Sequence, residues 1–197
     1  MDVGMRYSNI SYTGQPNLET YMFSLNAGKS INDYSETQIT GGLGSTDYYG
    51  VDDYTNFDLG WDMILKYEKV MASGSKIVPF ARGGVTLNVF SNYQEHTVGY
   101  DAYYRYYTTS GTTYVDYYGN YSAGLAYIAP NEKWALSTEL GTYHWLGGDL
   151  DMGDYSETFW STHLYYKAFE ESGIKLMYSY ETDSEMSTYG IYWTKNF

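Results

Sequence analysis

The chain has few side chains suited to covalent chemistry, and they are scattered. Histidine occurs three times, as His96, His144 and His163, and cysteine is absent. Thiolate nucleophiles, thiolate metal sites and disulfides are therefore excluded. A nucleophile needs a base within hydrogen-bond reach; Thr142 stands two residues before His144, but no motif joins them. Acidic residues are more plentiful. The stretch "GDLDMGD" puts Asp149, Asp151 and Asp154 at spacings that can wrap a divalent cation such as Ca²⁺, yet the other positions of an EF-hand loop are missing. A solvated acidic hairpin is the simpler expectation, and no metal or other cofactor is called for. A third set recurs at one parity of alternating segments: Arg6, Asp62, Lys66, Arg82, Glu139, His163, Lys167 and Lys175. Small residues share that parity, among them Gly4, Ser8, Gly42, Gly60, Gly84, Ser122, Gly124, Ser137 and Gly190.

The elements that position these residues are strands. Helical periodicity is nearly absent, whereas period-2 alternation runs throughout. Ten strands are expected, over roughly 2–12, 18–27, 36–45, 54–67, 76–91, 114–127, 132–145, 156–169, 173–182 and 186–197. In the fourth, Phe57, Leu59, Trp61, Met63, Leu65 and Tyr67 alternate with Asp58, Gly60, Asp62, Ile64 and Lys66. The third is glycine-rich and weak; were it and part of the Tyr-rich region loop, the count would fall to eight. The connections "GKSINDYS", "EKVMASGS", "IAPN" and "EESG" are modest. Those at the other ends of the strands, including "TDYYGVDD" and "LGGDLDMGD", are acidic or long.

With 197 residues the chain makes one domain, 1–197. The formal charge of −13 argues against nucleic acid, which requires a basic footprint. No run of about 18 apolar residues offers a transmembrane helix. The start "MDVGMRYSN" lacks the cationic and apolar parts of a signal peptide. If the protein is exported, Met1 is expected to be an added start before a mature sequence.

Three details set a membrane barrel above a soluble sandwich. Aromatics cluster near strand ends with aliphatics between them, as a girdle at the lipid headgroups requires; Tyr67, Tyr127, Trp134, Trp160, Trp193 and Phe197 are the expected members. Charges sit at mid-strand on the opposite face, where a barrel lumen accepts them and a sandwich core would not. The strands are also long enough for the ~9–11 residues a tilted crossing needs. In lipid every backbone group must be paired within the protein, so the sheet must close, last strand on first.

The terminal "TYGIYWTKNF", alternating and ending on Phe197, resembles the C-terminal signature of Gram-negative outer-membrane β-barrel proteins. Lys195 departs from it, standing where many members place an apolar residue. The resemblance implies a closed, antiparallel, up-and-down transmembrane β-barrel in the bacterial outer membrane. It also implies contact with the lipid bilayer and lipopolysaccharide, and recognition of the end segment by the barrel-insertion machinery. Within that class the expected function is a monomeric, narrow, porin-like channel for small solutes, or a structural barrel presenting acidic, Tyr-rich loops. A surface adhesin or ligand-binding barrel is the alternative. An outer-membrane hydrolase, either an omptin-like protease or a lipid A-modifying enzyme, is a further one. Omptin-type proteases, which the class includes, carry an acidic pair facing an Asp–His pair, and Asp52, Asp53, His144 and Asp149 offer those residue types. His144, however, shares the parity of Trp134 and Leu140, which points it toward lipid, so no catalytic residue is assigned. The stretch "YDAYYRYYTTSGTTYVDYYGNY" is expected to be a raised hairpin with stacked rings, or a recognition tip.

Overall fold

The computed structural model describes residues 1–10, 18–48, 52–92, 95–97, 107–109, 113–149 and 154–195. Its strands, in chain order, are β1 (Asp2–Ile10), β2 (Leu18–Asn32), β3 (Ser35–Tyr48), β4 (Asp52–Lys66), β5 (Lys69–Val70), β6 (Lys76–Asn92), β7 (Glu95–Thr97), β8 (Tyr107–Thr109), β9 (Thr113–Ile128), β10 (Trp134–Gly148), β11 (Ser156–Tyr166), β12 (Ser172–Glu181) and β13 (Met186–Lys195). Ten of them form a closed antiparallel wall, β1-β2-β3-β4-β6-β9-β10-β11-β12-β13 and back to β1. The two-residue β5 pairs with the start of β6, and β7 pairs with β8 as a small separate ladder. No helix occurs among the described residues, and hence none long and apolar enough to cross a membrane.

The closing ladder runs from Asp2↔Thr194 to Ile10↔Met186, and the Met1 amino group and Lys195 carbonyl extend it by a 2.7 Å hydrogen bond. Every wall strand thereby has two neighbours and no edge is left for another chain. The eight-stranded alternative is ruled out: β3 is a full wall strand, paired to Tyr48 on both sides. Its glycines serve packing. A side chain at Gly42 would overlap the Arg6 guanidinium, 2.8 Å away, and the Asp58 carboxylate. The segment read as the connection "GKSINDYS" is mostly strand as well, and only Asp33 and Tyr34 turn.

The alternation sorts the two faces in the sense opposite to a soluble protein. Outward side chains include Met5, Leu43, Trp61, Leu125, Leu140, Leu164 and Ile191, which are 43–61% exposed. Among the described residues the buried hydrophobics are Ala129, Phe159 and Tyr192, whereas Ser24, Asn56, Asp62, Asp116, Glu139, Glu157 and Ser161 are buried polar groups. A soluble domain hides its large apolar side chains and rarely shows a contiguous apolar surface of this extent. Here that surface encircles the wall.

Aromatic rings bound it. Near the short turns, Tyr127 packs on Trp134 at 5.4 Å and Phe169 on Trp193 at 5.8 Å, with Tyr67 exposed at the same end. Toward the long loops a run of rings crosses the closing seam: Trp160–Tyr178 at 5.5 Å, Tyr178–Tyr189 at 5.2 Å, Tyr189–Tyr7 at 6.4 Å and Tyr7–Tyr21 at 5.0 Å. Phe197 lies outside the described residues, as do residues 100–106 and 110–112 of the Tyr-rich stretch.

Candidate functional site

Among the described residues, many polar and charged side chains converge on the inner face. Arg6 on β1, Asp62 and Lys66 on β4, Arg82 on β6, Glu139 on β10 and His163 on β11 all share the inward parity that their registers carry around the ring. Lys167 follows β11, its backbone N–H donating to the Lys133 carbonyl at 2.7 Å.

They are grouped by the barrel's shear into pairs. Arg6 reaches over Gly42 to an ion pair with Asp58 and donates to Ser24 Oγ at 2.7 Å. Lys66 pairs with Glu36 at 2.9 Å, and Lys175 pairs with Asp2 while lying 4.5 Å from the Tyr192 ring. Glu139 is the busiest group. Ser122 and Ser161 each donate to its carboxylate at 3.0 Å, Arg82 stands at 3.5 Å and His163 at 3.7 Å. Asp62 sits beside Arg82 in sequence order of strands, but its register partner is Gly84, and its hydrogen bond comes from Asn120 at 3.1 Å. The guanidinium turns instead toward Glu139. Such pairing satisfies charges that would otherwise be costly away from bulk water. They are not sealed: the paired side chains of Arg6, Lys66, Arg82, His163 and Lys175 keep 16–31% of their surface accessible.

Ser161, His163 and Glu139 are the residue types of a hydrolytic triad, but their geometry is not a relay. The same His163 Nε2 faces both Ser161 Oγ, at 3.3 Å, and Glu139, at 3.7 Å. A triad needs one imidazole nitrogen for the nucleophile and the other for the acid. The Ser161 hydroxyl donates directly to the carboxylate, and the side chain is buried. His144 is exposed on the outer face, opposite Gly119 and Ser156.

Reasoning from charge alone missed the inward aromatics. Phe80, Tyr143, Phe159 and Tyr192 point into the lumen, and Phe80, Phe159 and Tyr192 lie opposite Gly124, Gly141 and Gly4 of neighbouring strands. A Cβ on Gly141 would meet Phe159 Cζ at 2.6 Å, and one on Gly190 would meet Tyr192 Cε2 at 2.6 Å. The signal was in the sequence: glycine and aromatic residues on one parity of adjacent strands.

Charge is also segregated along the axis. All eight lysines (29, 66, 69, 76, 133, 167, 175 and 195) lie at the short-turn end. At the long-loop end the described residues include Asp116, Asp149, Asp154, Glu157, Glu181, Asp183 and Glu185, and no Lys or Arg. Of the acidic hairpin, Asp149 binds backbone, its carboxylate accepting the Val115 N–H at 2.9 Å and its own N–H meeting the Val115 carbonyl at 2.9 Å. Asp154 is exposed, Asp151 lies outside the described residues, and no metal-holding group of three occurs among the described ones.

The fold and inner face define a β-barrel of the outer-membrane type. No protein-family model matches the chain, and neither does any curated relative. Solved structures do. The translocator domain of the autotransporter NalP from Neisseria meningitidis superposes with a TM-score of 0.52 at 10% identity, covering 100% of this chain and 86% of that one. The NanC porin gives 0.47 at 9% identity over 100% and 99%, and the β domain of the Bordetella autotransporter BrkA gives 0.45 at 12% over 100% and 98%. At these identities the NalP likeness speaks for the fold alone.

Proposed function

We propose that the protein is a barrel of the bacterial outer membrane whose narrow, hydrated lumen passes small solutes, cations more readily than anions. The observation that carries this reading is the inner face: ion pairs that keep contact with solvent, inside a wall whose outer surface is apolar. Side chains of small barrels fill the bore, and larger barrels leave a channel; ten strands stand near the narrow end. The acidic long-loop end raises the local concentration of cations and repels anions. Lipid, lipopolysaccharide and the insertion machinery that reads a C-terminal strand are the partners this reading implies.

Planar bilayers test it. Small conductance steps are expected, enlarged in Arg82→Ala, which removes a guanidinium from the bore. Under a KCl gradient the reversal potential should have the sign of K⁺ preference. Absence of steps from both proteins would overturn the channel reading and leave a barrel that displays its loops.

A further inference from the structure

At the long-loop end, three residues beyond Tyr178 and outside the ring of aromatics, two carboxylates from adjacent strands meet beneath one turn. Glu157 of β11 is 2% exposed. It accepts the Tyr155 hydroxyl at 2.7 Å, the Asp183 N–H at 2.7 Å and the Ser184 N–H at 3.2 Å. Glu181 ends β12 and accepts the Ser184 hydroxyl at 3.3 Å. The turn between β12 and β13 is thus folded back onto β11, where Thr182 N–H also reaches the Thr158 carbonyl at 2.9 Å. The titratable groups acting at this spot are Glu157 and Tyr155 from β11 and the residue before it, Tyr143 from β10, Tyr118 from β9, and Asp116, which acts on Tyr118. Asp183 and Glu185 come from the turn itself. His144 faces outward, and Arg6 and Arg82 lie below, acting on Tyr143.

We propose that Glu157 and Glu181 form a proton-operated latch. With a proton on Glu181 the turn is fastened to β11 through Glu157; loss of that proton to solvent sets two carboxylates against each other, with no basic side chain among the described residues at that end, and lets the turn rise. Burial first, then the Glu157 charge, pushes the Glu181 carboxyl up to about 7, against the opposing pull of the Ser184 hydroxyl. A carboxyl raised on folding contributes stability that is complete below its ordinary value and is lost as pH rises through the raised one. The latch therefore holds in mild acid and opens in mild base.

Amide exchange of Asp183 and Ser184, measured on the refolded barrel in detergent micelles and corrected for intrinsic base catalysis, tests this without reference to conduction. Between about pH 6 and about pH 8 their protection should fall by roughly fivefold or more, since one pKa unit is a factor of ten. In Glu181→Gln the protection should stay flat. Unchanged protection in the natural chain, or an identical fall in the variant, overturns the latch. Should the variant not fold, the carboxyl carbon resonance of Glu181 in the natural chain decides: a midpoint near 7 supports the latch, and one near the ordinary 4.5 ends it.

Discussion

Glu139 shows how much one inward side chain can organise. It is buried, accepts two serine hydroxyls, and faces both the Arg82 guanidinium at 3.5 Å and the His163 ring at 3.7 Å. Glu139→Gln keeps the shape but removes the charge on which the guanidinium and imidazole depend, and hydrogen bonds to charged groups are worth ~1.5–3 kcal/mol each. A loss of about 2 kcal/mol is expected in urea titrations of the barrel refolded into lipid vesicles. Parity in the sequence was enough to turn Arg82, Glu139 and His163 inward. It was not enough to choose partners. Asp62 and Arg82 stand on adjacent strands, yet closure staggers them, and Arg82 crosses β9 to reach Glu139 instead. Which charges meet depends on the stagger of the whole ring, which no local stretch encodes.

At the scale of the strand, the recurring device is a glycine placed opposite a ring. Gly141 on β10 leaves the space that Phe159 of β11 fills, and Tyr143 stacks on that ring at 4.6 Å. The atoms nearest a new Cβ at Gly141 belong to the side chains of Phe159 and Ser122. Gly141→Ala should therefore cost ~1–3 kcal/mol, as overpacking does, and the cost should shrink in a Phe159→Leu background. A double-mutant cycle by denaturant titration measures that coupling. All ten wall strands could be read from alternation, including the fourth, where Phe57, Leu59, Trp61, Met63 and Leu65 face outward in unbroken alternation. The third could be read only weakly, because Gly41, Gly42 and Gly44 give no hydrophobic signal; their role is visible once Arg6, Met22 and Asp58 are seen against them. The extension of β2 to Asn32 was hidden by "GKSIN", a polar and glycine-containing stretch held in strand by its ladder to β3. Short strands β7 and β8 carried no pattern long enough to register.

The molecule as a whole is a polar interior wrapped in an apolar coat. Ile191 lies between Tyr189 and Trp193 on the closing strand, opposite Met5 and Leu176. Ile191→Arg should lower folding stability in lipid vesicles by ~2–4 kcal/mol, the usual cost of a basic residue near the bilayer midplane. A soluble β-domain would show no such dependence on lipid. The seam has a consequence for engineering. Met1 and Lys195 exchange hydrogen bonds in both directions at the short-turn rim, 2.7 Å each way, and Asp33–Tyr34 turns at that rim too. A circularly permuted chain, spliced across the seam and reopened at Asp33–Tyr34, would preserve every ladder of the wall, and cargo tethered to its new ends would stay in the compartment that the old ends face.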